Sequence, residues 1–207
     1  MRIGIDFDNT IACYDGVFYA AALQRELIAP DLPRDKNSVR DFLNGSGQAD
    51  AFTELQGYVY GARMDLAAPY SGVVDFVRAA RAAGHAVFIV SHKTRHPMMG
   101  PRYDLHAAAR GFLAGHGLVG PGGLLPDENA CFELTKEEKL ARAVQLQVDV
   151  FIDDLPEILG MPGWPDRVRR VLFDPDGRRP DGVWKADIFE CYRTWASLRA
   201  AILGPAA

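Results

Sequence analysis

Apolar residues along the chain collect in four short runs: Ile3 to Ile5, Val87-Phe88-Ile89-Val90, Val148 to Ile152 and Val168 to Phe173. Runs of this length without strict alternation suit strands covered on both faces. The segments between them carry a helical period. Val73 to Ala83 has apolar residues at that spacing and stops at Gly84, a residue suited to the left-handed position after a helix. Residues 103 to 114 repeat the device, with Ala107, Ala108 and Phe112 inside and Gly115 at the end. Thr135, followed three places later by Glu138, predicts a capping box at a helix start. Trp195 to Leu203 reads as a terminal helix. Strands alternating with helices predict an α/β fold with right-handed crossovers, a doubly wound parallel sheet.

About 60 residues between Asp8 and Val73 break this alternation. Gly16 to Leu27, Val39 to Leu43 and Phe52 to Met64 read as short helices, separated by Pro30 and Pro33. They predict a small, mainly helical cap inserted after the first strand. Its aromatics, Tyr14, Phe18, Tyr19, Phe42, Phe52, Tyr58 and Tyr60, suit the core of a small domain. The expected division is a core of residues 1–13 and 70–207 and a cap of residues 14–69.

The strand ends carry the chemistry. The first run passes into Asp6-Phe7-Asp8, and alternate side chains of an extended chain share a face. Two carboxylates about 4 Å apart repel by roughly 1 kcal/mol in water and about 4 at an effective dielectric of 20. A buried pair therefore needs a cation or a raised pKa. The second run ends at Ser91 and the third at Asp153-Asp154. In an open parallel sheet, ligands sit outside the carboxyl ends of the strands, where such groups converge.

Composition narrows the class. The 207 residues are 48% hydrophobic and 24% charged, an ordinary globular balance with a net charge of −4. That charge gives no general attraction to nucleic acid or anionic membranes. The local run Arg167-Val168-Arg169-Arg170 reads as a solvated loop edge. Cys13, Cys131 and Cys191 lack the spacing of a zinc site or disulfide framework and read as packing residues in a reducing compartment. The N-terminal strand, broken by Asp6, lacks the apolar stretch of a secretory signal, and no window reaches the length of a membrane span. A cytoplasmic location is the expectation.

In order along the chain, Asp6-Phe7-Asp8-Asn9-Thr10, Ser91, Lys136 and Asp153-Asp154 resemble the four signature elements of the haloacid dehalogenase superfamily, whose members are mostly phosphatases. The resemblance spans residues 6 to 154. It implies a magnesium-dependent phosphomonoesterase acting on a small phosphorylated metabolite, a sugar phosphate or nucleotide, through an aspartyl-phosphate. Asp6 would be the nucleophile and Asp8 the acid and base. Asp6, the backbone carbonyl of Asp8, Asp153 and Asp154 would hold Mg2+, with Asp154 as direct ligand and Asp153 bridged through water. Ser91 and Lys136 would bind the phosphoryl oxygens, with Lys139, one turn later, as the alternative lysine. Thr10 and His92 join the expected substrate contacts. Lys93, Thr94 and Arg95, and at the rim His96, Arg102 and Tyr103, follow as further contacts, while Pro156 and Glu157 shape the loop after the last motif. The same motifs also serve phosphotransfer or mutase chemistry. Dehalogenation dispenses with the second aspartate, and a phospho-acceptor receiver module lacks both the D-x-D-x-T run and the long insertion. Oligomeric state is not legible in the chain.

Overall fold

The computed structural model describes residues 1–177 and 189–204. Contacts divide the chain into two units: Met1–Ala12 with Pro69–His92 and Ala114–Ala207, and Cys13–Ala68 with Lys93–Leu113. No helix among the described residues is long and apolar enough to cross a membrane.

The first unit is built on six strands: β1 (Arg2–Ile5), β4 (Ala86–His92), β5 (Ala130–Glu133), β6 (Val150–Asp153), β7 (Arg169–Phe173) and β8 (Glu190–Tyr192). They pair in the order β5-β4-β1-β6-β7-β8, every neighbouring pair parallel. This is the α/β parallel sheet expected. β1 lies between β4 and β6, with Ile5 opposite Ile89 and Ile152, so its end sits beside the ends of both neighbours. The edge strands β5 and β8 are not among the four apolar runs, because they are only half-buried or exposed.

Helices pack on this sheet: α4 (Val73–Ala82), α6 (Lys136–Gln145), α7 (Pro156–Leu159) and α8 (Trp195–Leu203). α4 ends as predicted, with Gly84 at φ 77°. The His85 amide bonds to the Ala80 carbonyl and the Gly84 amide to that of Arg81, closing a Schellman motif. Thr135 caps α6 and Glu138 completes the capping box. Phe88 and Val90 of β4 share a buried cluster with Leu140 and Ala143 of α6, and with Phe151 and Trp164. A second aromatic group, Tyr70, Phe173, Trp195 and Phe76, has successive ring centres 5.0, 5.5 and 5.0 Å apart. The basic run is no loop edge. Arg169 and Arg170 lie in β7, where Arg169 pairs with Glu190 of β8 at 2.5 Å and Arg170 donates to the Leu159 carbonyl. Cys191, expected to pack inside, is exposed on the edge strand, while Cys13 and Cys131 are half-buried.

The second unit contains α1 (Val17–Gln24), α2 (Lys36–Gly45) and α3 (Ala49–Ala62). Phe18 is its centre: Tyr60, Phe52 and Tyr14 lie 5.6, 6.0 and 6.2 Å from its ring. Residues 93–113, assigned to the core from sequence, group here, carrying most of α5 (Leu105–Gly115). The α3 surface makes room for them. A β-carbon at Gly57 would fall 2.5 Å from Pro97 Cβ, and one at Gly61 would strike Tyr103. Short strands β2 (Ala12–Cys13) and β3 (Ala68–Pro69) form a separate two-stranded sheet.

Candidate active site

β1 delivers Asp6 to the end of the sheet, where its amide bonds to the Ile152 carbonyl at 2.9 Å. Asp6 is 3% exposed. The chain then turns sharply. Ile11 and Ala12 both donate to the Phe7 carbonyl, and Asn9 adopts φ 55° while bonding to the Ala12 carbonyl. Asn is among the few residues other than Gly that enter this region readily. Asp8 stands half-buried at the start of this turn. Thr10, expected at the substrate, is wholly buried, and its hydroxyl donates to Asp6 Oδ2 at 3.5 Å. Its carbonyl accepts Trp195 Nε1 at 3.2 Å.

Of the two lysines, the one beside Asp6 is Lys139. Lys136 is the first residue of α6, its side chain 42% exposed and 3.5 Å from Glu157. Lys139 lies on the buried stripe with Leu140 and Ala143. Its Nζ is 2.6 Å from Asp6 Oδ1 and 2.6 Å from Asp153 Oδ2. A lysine at a core-facing position one turn past a cap is the signal that separates the two. Burial opposes the charge on Lys139, but Asp153 and Asp6 outweigh it and raise the pKa.

β6 ends at Asp153, which is wholly buried and accepts the Leu155 amide at 3.0 Å through Oδ1. Burial, aided by the Asp6 charge and countered by Lys139, pushes its carboxyl up to about 7. Carboxylate oxygens of Asp6, Asp153 and the half-buried Asp154 all lie within 4.8 Å of one another. The Asp8 carboxylate is not in that group. Every donor of the group is a hard carboxylate oxygen. That set fits a divalent cation such as Mg2+.

β4 contributes Ser91 and His92. Ser91 is 1% exposed, and its Oγ, like His92 Nδ1, is buried without a hydrogen-bond partner among the described residues. Such groups cost free energy unless a ligand or water satisfies them. Burial lowers the His92 pKa, with Lys139 and Lys136 acting in the same direction against Asp6 and Asp8. A neutral imidazole still offers one donor and one acceptor.

No protein-family model and no curated protein matches the chain. Solved structures do. A predicted phosphatase from Clostridium acetobutylicum is 13% identical with a TM-score of 0.60, covering 99% of this chain and 98% of the other. A HAD family hydrolase from Deinococcus radiodurans R1, with bound phosphate and sodium, is 18% identical with a TM-score of 0.55, covering 97% and 94%. A putative HAD-hydrolase from Bacillus subtilis bound to magnesium is 10% identical with a TM-score of 0.53, covering 99% and 98%. The chain has the fold of the haloacid dehalogenase-like hydrolases.

Proposed function

We propose that this chain is a magnesium-dependent phosphomonoesterase that hydrolyses a small phosphorylated metabolite, a sugar phosphate or nucleotide, through a phosphorylated Asp6. The reading is carried by one juxtaposition: a buried lysine clamped between Asp6 and Asp153, with Asp154 close by. It is supported by the buried, unsatisfied Ser91 hydroxyl and by the fold.

Lys139 fixes Asp6 Oδ1, while Oδ2, with its longer contact to Thr10, is the attacking oxygen. Attack on phosphorus forms the Asp6 acyl-phosphate and breaks the ester bond, and the protonated Asp8 gives its proton to the departing oxygen. Asp8 then takes a proton from water as that water attacks the phosphorus. Inorganic phosphate leaves and the Asp6 carboxylate returns. Ser91 Oγ and Lys139 Nζ donate to the equatorial oxygens, where charge spreads in the transition state. Asp6, the Asp8 carbonyl, Asp153 and Asp154 are the groups that would hold Mg2+. When bound, the ion supplies positive charge beside the transferring oxygens.

The test is phosphate release from a panel of phosphorylated metabolites, with magnesium or with a chelator. Asp6→Asn is expected to lose at least about 10³-fold in kcat. Undiminished turnover in that variant removes Asp6 as nucleophile.

A further inference from the structure

The starts of α4 and α8 border a cavity of about 590 Å³ that the phosphoryl chemistry does not use. Its lining belongs wholly to the unit that carries the six-stranded sheet. The volume is that of a small-molecule site, which spans about 300–1,000 Å³. Phe173, in the lining, closes β7, and Arg193, also in it, follows directly on β8. The cavity therefore lies beyond the carboxyl ends of those strands, where ligands of open parallel sheets collect. β7 and β8 stand two and three places from β1 in the sheet. At about 4.8 Å per strand, they are roughly 10 and 14 Å from the strand that delivers Asp6.

Small residues leave this space open: Ala196 and Ala200 share a face of α8 one turn apart, and Gly204 follows at the same interval. Tyr70, Phe173 and Trp195 supply an aromatic wall, with successive ring centres 5.0 and 5.5 Å apart. Hydrogen bonds fix that wall. The Tyr70 amide bonds to the Ile11 carbonyl at 2.9 Å, and Trp195 Nε1 to the Thr10 carbonyl at 3.2 Å. A receptor held in this way loses little freedom when a ligand enters.

Charge gives the cavity its selectivity. Arg193 and Arg199 both line it, the first exposed and the second half-buried. Neither side chain has a hydrogen-bond or ion-pair partner among the described residues. Gly177 makes room for the Arg193 guanidinium, since a β-carbon there would fall 2.6 Å from its Cζ. The carboxylate in the lining, Asp75, pairs with Arg78 at 2.5 Å. Guanidinium groups meet phosphate and carboxylate oxygens through paired N–H donors, and an aromatic wall suits a flat apolar group. We propose that this cavity is a second ligand site, which takes a small organic anion. Its phosphate or carboxylate group is held by Arg193 and Arg199, and a flat ring joined to that group lies against Tyr70, Phe173 and Trp195. The site uses none of the residues that handle the phosphoryl group, so it stands apart from the phosphatase reading.

Calorimetric titration of the full chain with phenylphosphonate and with benzoate tests this. Both carry the ring, and phosphomonoester hydrolysis leaves the carbon–phosphorus bond of the first intact. Binding should weaken about tenfold or more in Arg193→Met and in Arg199→Met. Arg193 is exposed, so its variant carries the test if Arg199→Met does not fold. Binding should hold within about twofold in Arg81→Met, an exposed arginine of α4 outside the cavity, and in Ser91→Ala at the proposed phosphoryl site. Methylphosphonate, which lacks the ring, should bind about tenfold or more weakly than phenylphosphonate. Benzoate binding that needs the same two arginines extends the site to carboxylates, and phenylphosphonate binding without it restricts the site to phosphoryl groups. The site is overturned if neither ring compound binds the natural chain, or if both bind the two arginine variants unweakened. A loss as large in Arg81→Met, or one confined to Ser91→Ala, overturns it equally, the first as diffuse charge and the second as binding beside Asp6. If no phosphate ester is hydrolysed but the arginine dependence holds, the phosphatase reading fails and this site stands.

Discussion

Lys139 Nζ lies 2.6 Å from Asp6 Oδ1, a contact between residues 133 positions apart in the chain. It joins the first strand to the helix after the fifth, and the same ammonium reaches Asp153 at the end of the sixth. Replacing it with methionine leaves two buried carboxylates facing each other. Breaking a buried pair from one side costs about 3–5 kcal/mol, so Lys139→Met should lower metal-free stability by that order at pH 8. The loss should shrink at pH 5, below the raised value of Asp153, where its carboxyl holds a proton. Urea unfolding at the two pH values measures it, and an equal loss at both would contradict the account.

Lys136→Met is the control. Exposed pairs such as Lys136–Glu157 are worth about 0–1 kcal/mol. Its stability should stay within roughly 0.5 kcal/mol of the natural chain, and phosphate release should change by less than about threefold. A loss of activity comparable to that of Lys139→Met would restore Lys136 to the site.

The raised Asp153 carboxyl sets the pH dependence. Its folded value, about 7, lies above the ordinary aspartate value of 3.8. The native state therefore holds a proton that the unfolded chain has released. The stability this proton brings is full below about pH 4 and is lost as pH rises toward about 7. Metal-free protein should thus become less stable between pH 4 and 7. Magnesium competes with that proton, so its stabilisation should be greater at pH 8 than at pH 5. Thermal unfolding with magnesium or chelator at both values tests the sign.

Asn9 keeps the turn between Asp8 and Thr10 in the left-handed region. Asn9→Gly should be neutral within about 0.5 kcal/mol, whereas the β-branched Asn9→Val should cost roughly 1–3 kcal/mol. The valine variant should also lose kcat by more than the glycine variant, since the turn aims Asp8. Equal melting temperatures for the two would show that the backbone relaxes freely there.

Trp195→Phe keeps most of the ring but removes the donor to the Thr10 carbonyl. Leaving that buried carbonyl unmet should cost about 1–3 kcal/mol. Denaturant unfolding reads it against Trp195→Ala, which adds a cavity and should cost about 3–5 kcal/mol.

Much of the sheet was legible because β1, β4, β6 and β7 are buried on both faces and read as apolar runs, with Asp6, Ser91 and Asp153 at their ends. The edges were harder. β8 reads Glu190-Cys191-Tyr192 and has no buried face to impose a pattern. The two lysines of α6 are hard to separate in the sequence, because the cap favours the residue after Thr135, while burial is decided by the stripe of Lys139, Leu140 and Ala143. Linear order after β4 favours grouping residues 93–113 with the sheet. What seats them elsewhere is the bare surface at Gly57 and Gly61, a complementarity between distant segments that neither segment displays alone. The Trp195–Thr10 bond, spanning 185 positions, is equally silent in the sequence.

The same two glycines constrain how such an architecture can be recombined. A segment inserted once, after the first strand, would be portable: cut at its ends and grafted onto another sheet. Here the seat for Pro97 and Tyr103 lies on α3, in a different stretch of chain from the residues it receives. Transplanting the helices alone would strip Pro97 and Tyr103 of their support, and transplanting the later segment alone would set it against a helix with ordinary side chains. The two stretches are inherited as a pair, and a chimaera that exchanges one without the other should fail to fold.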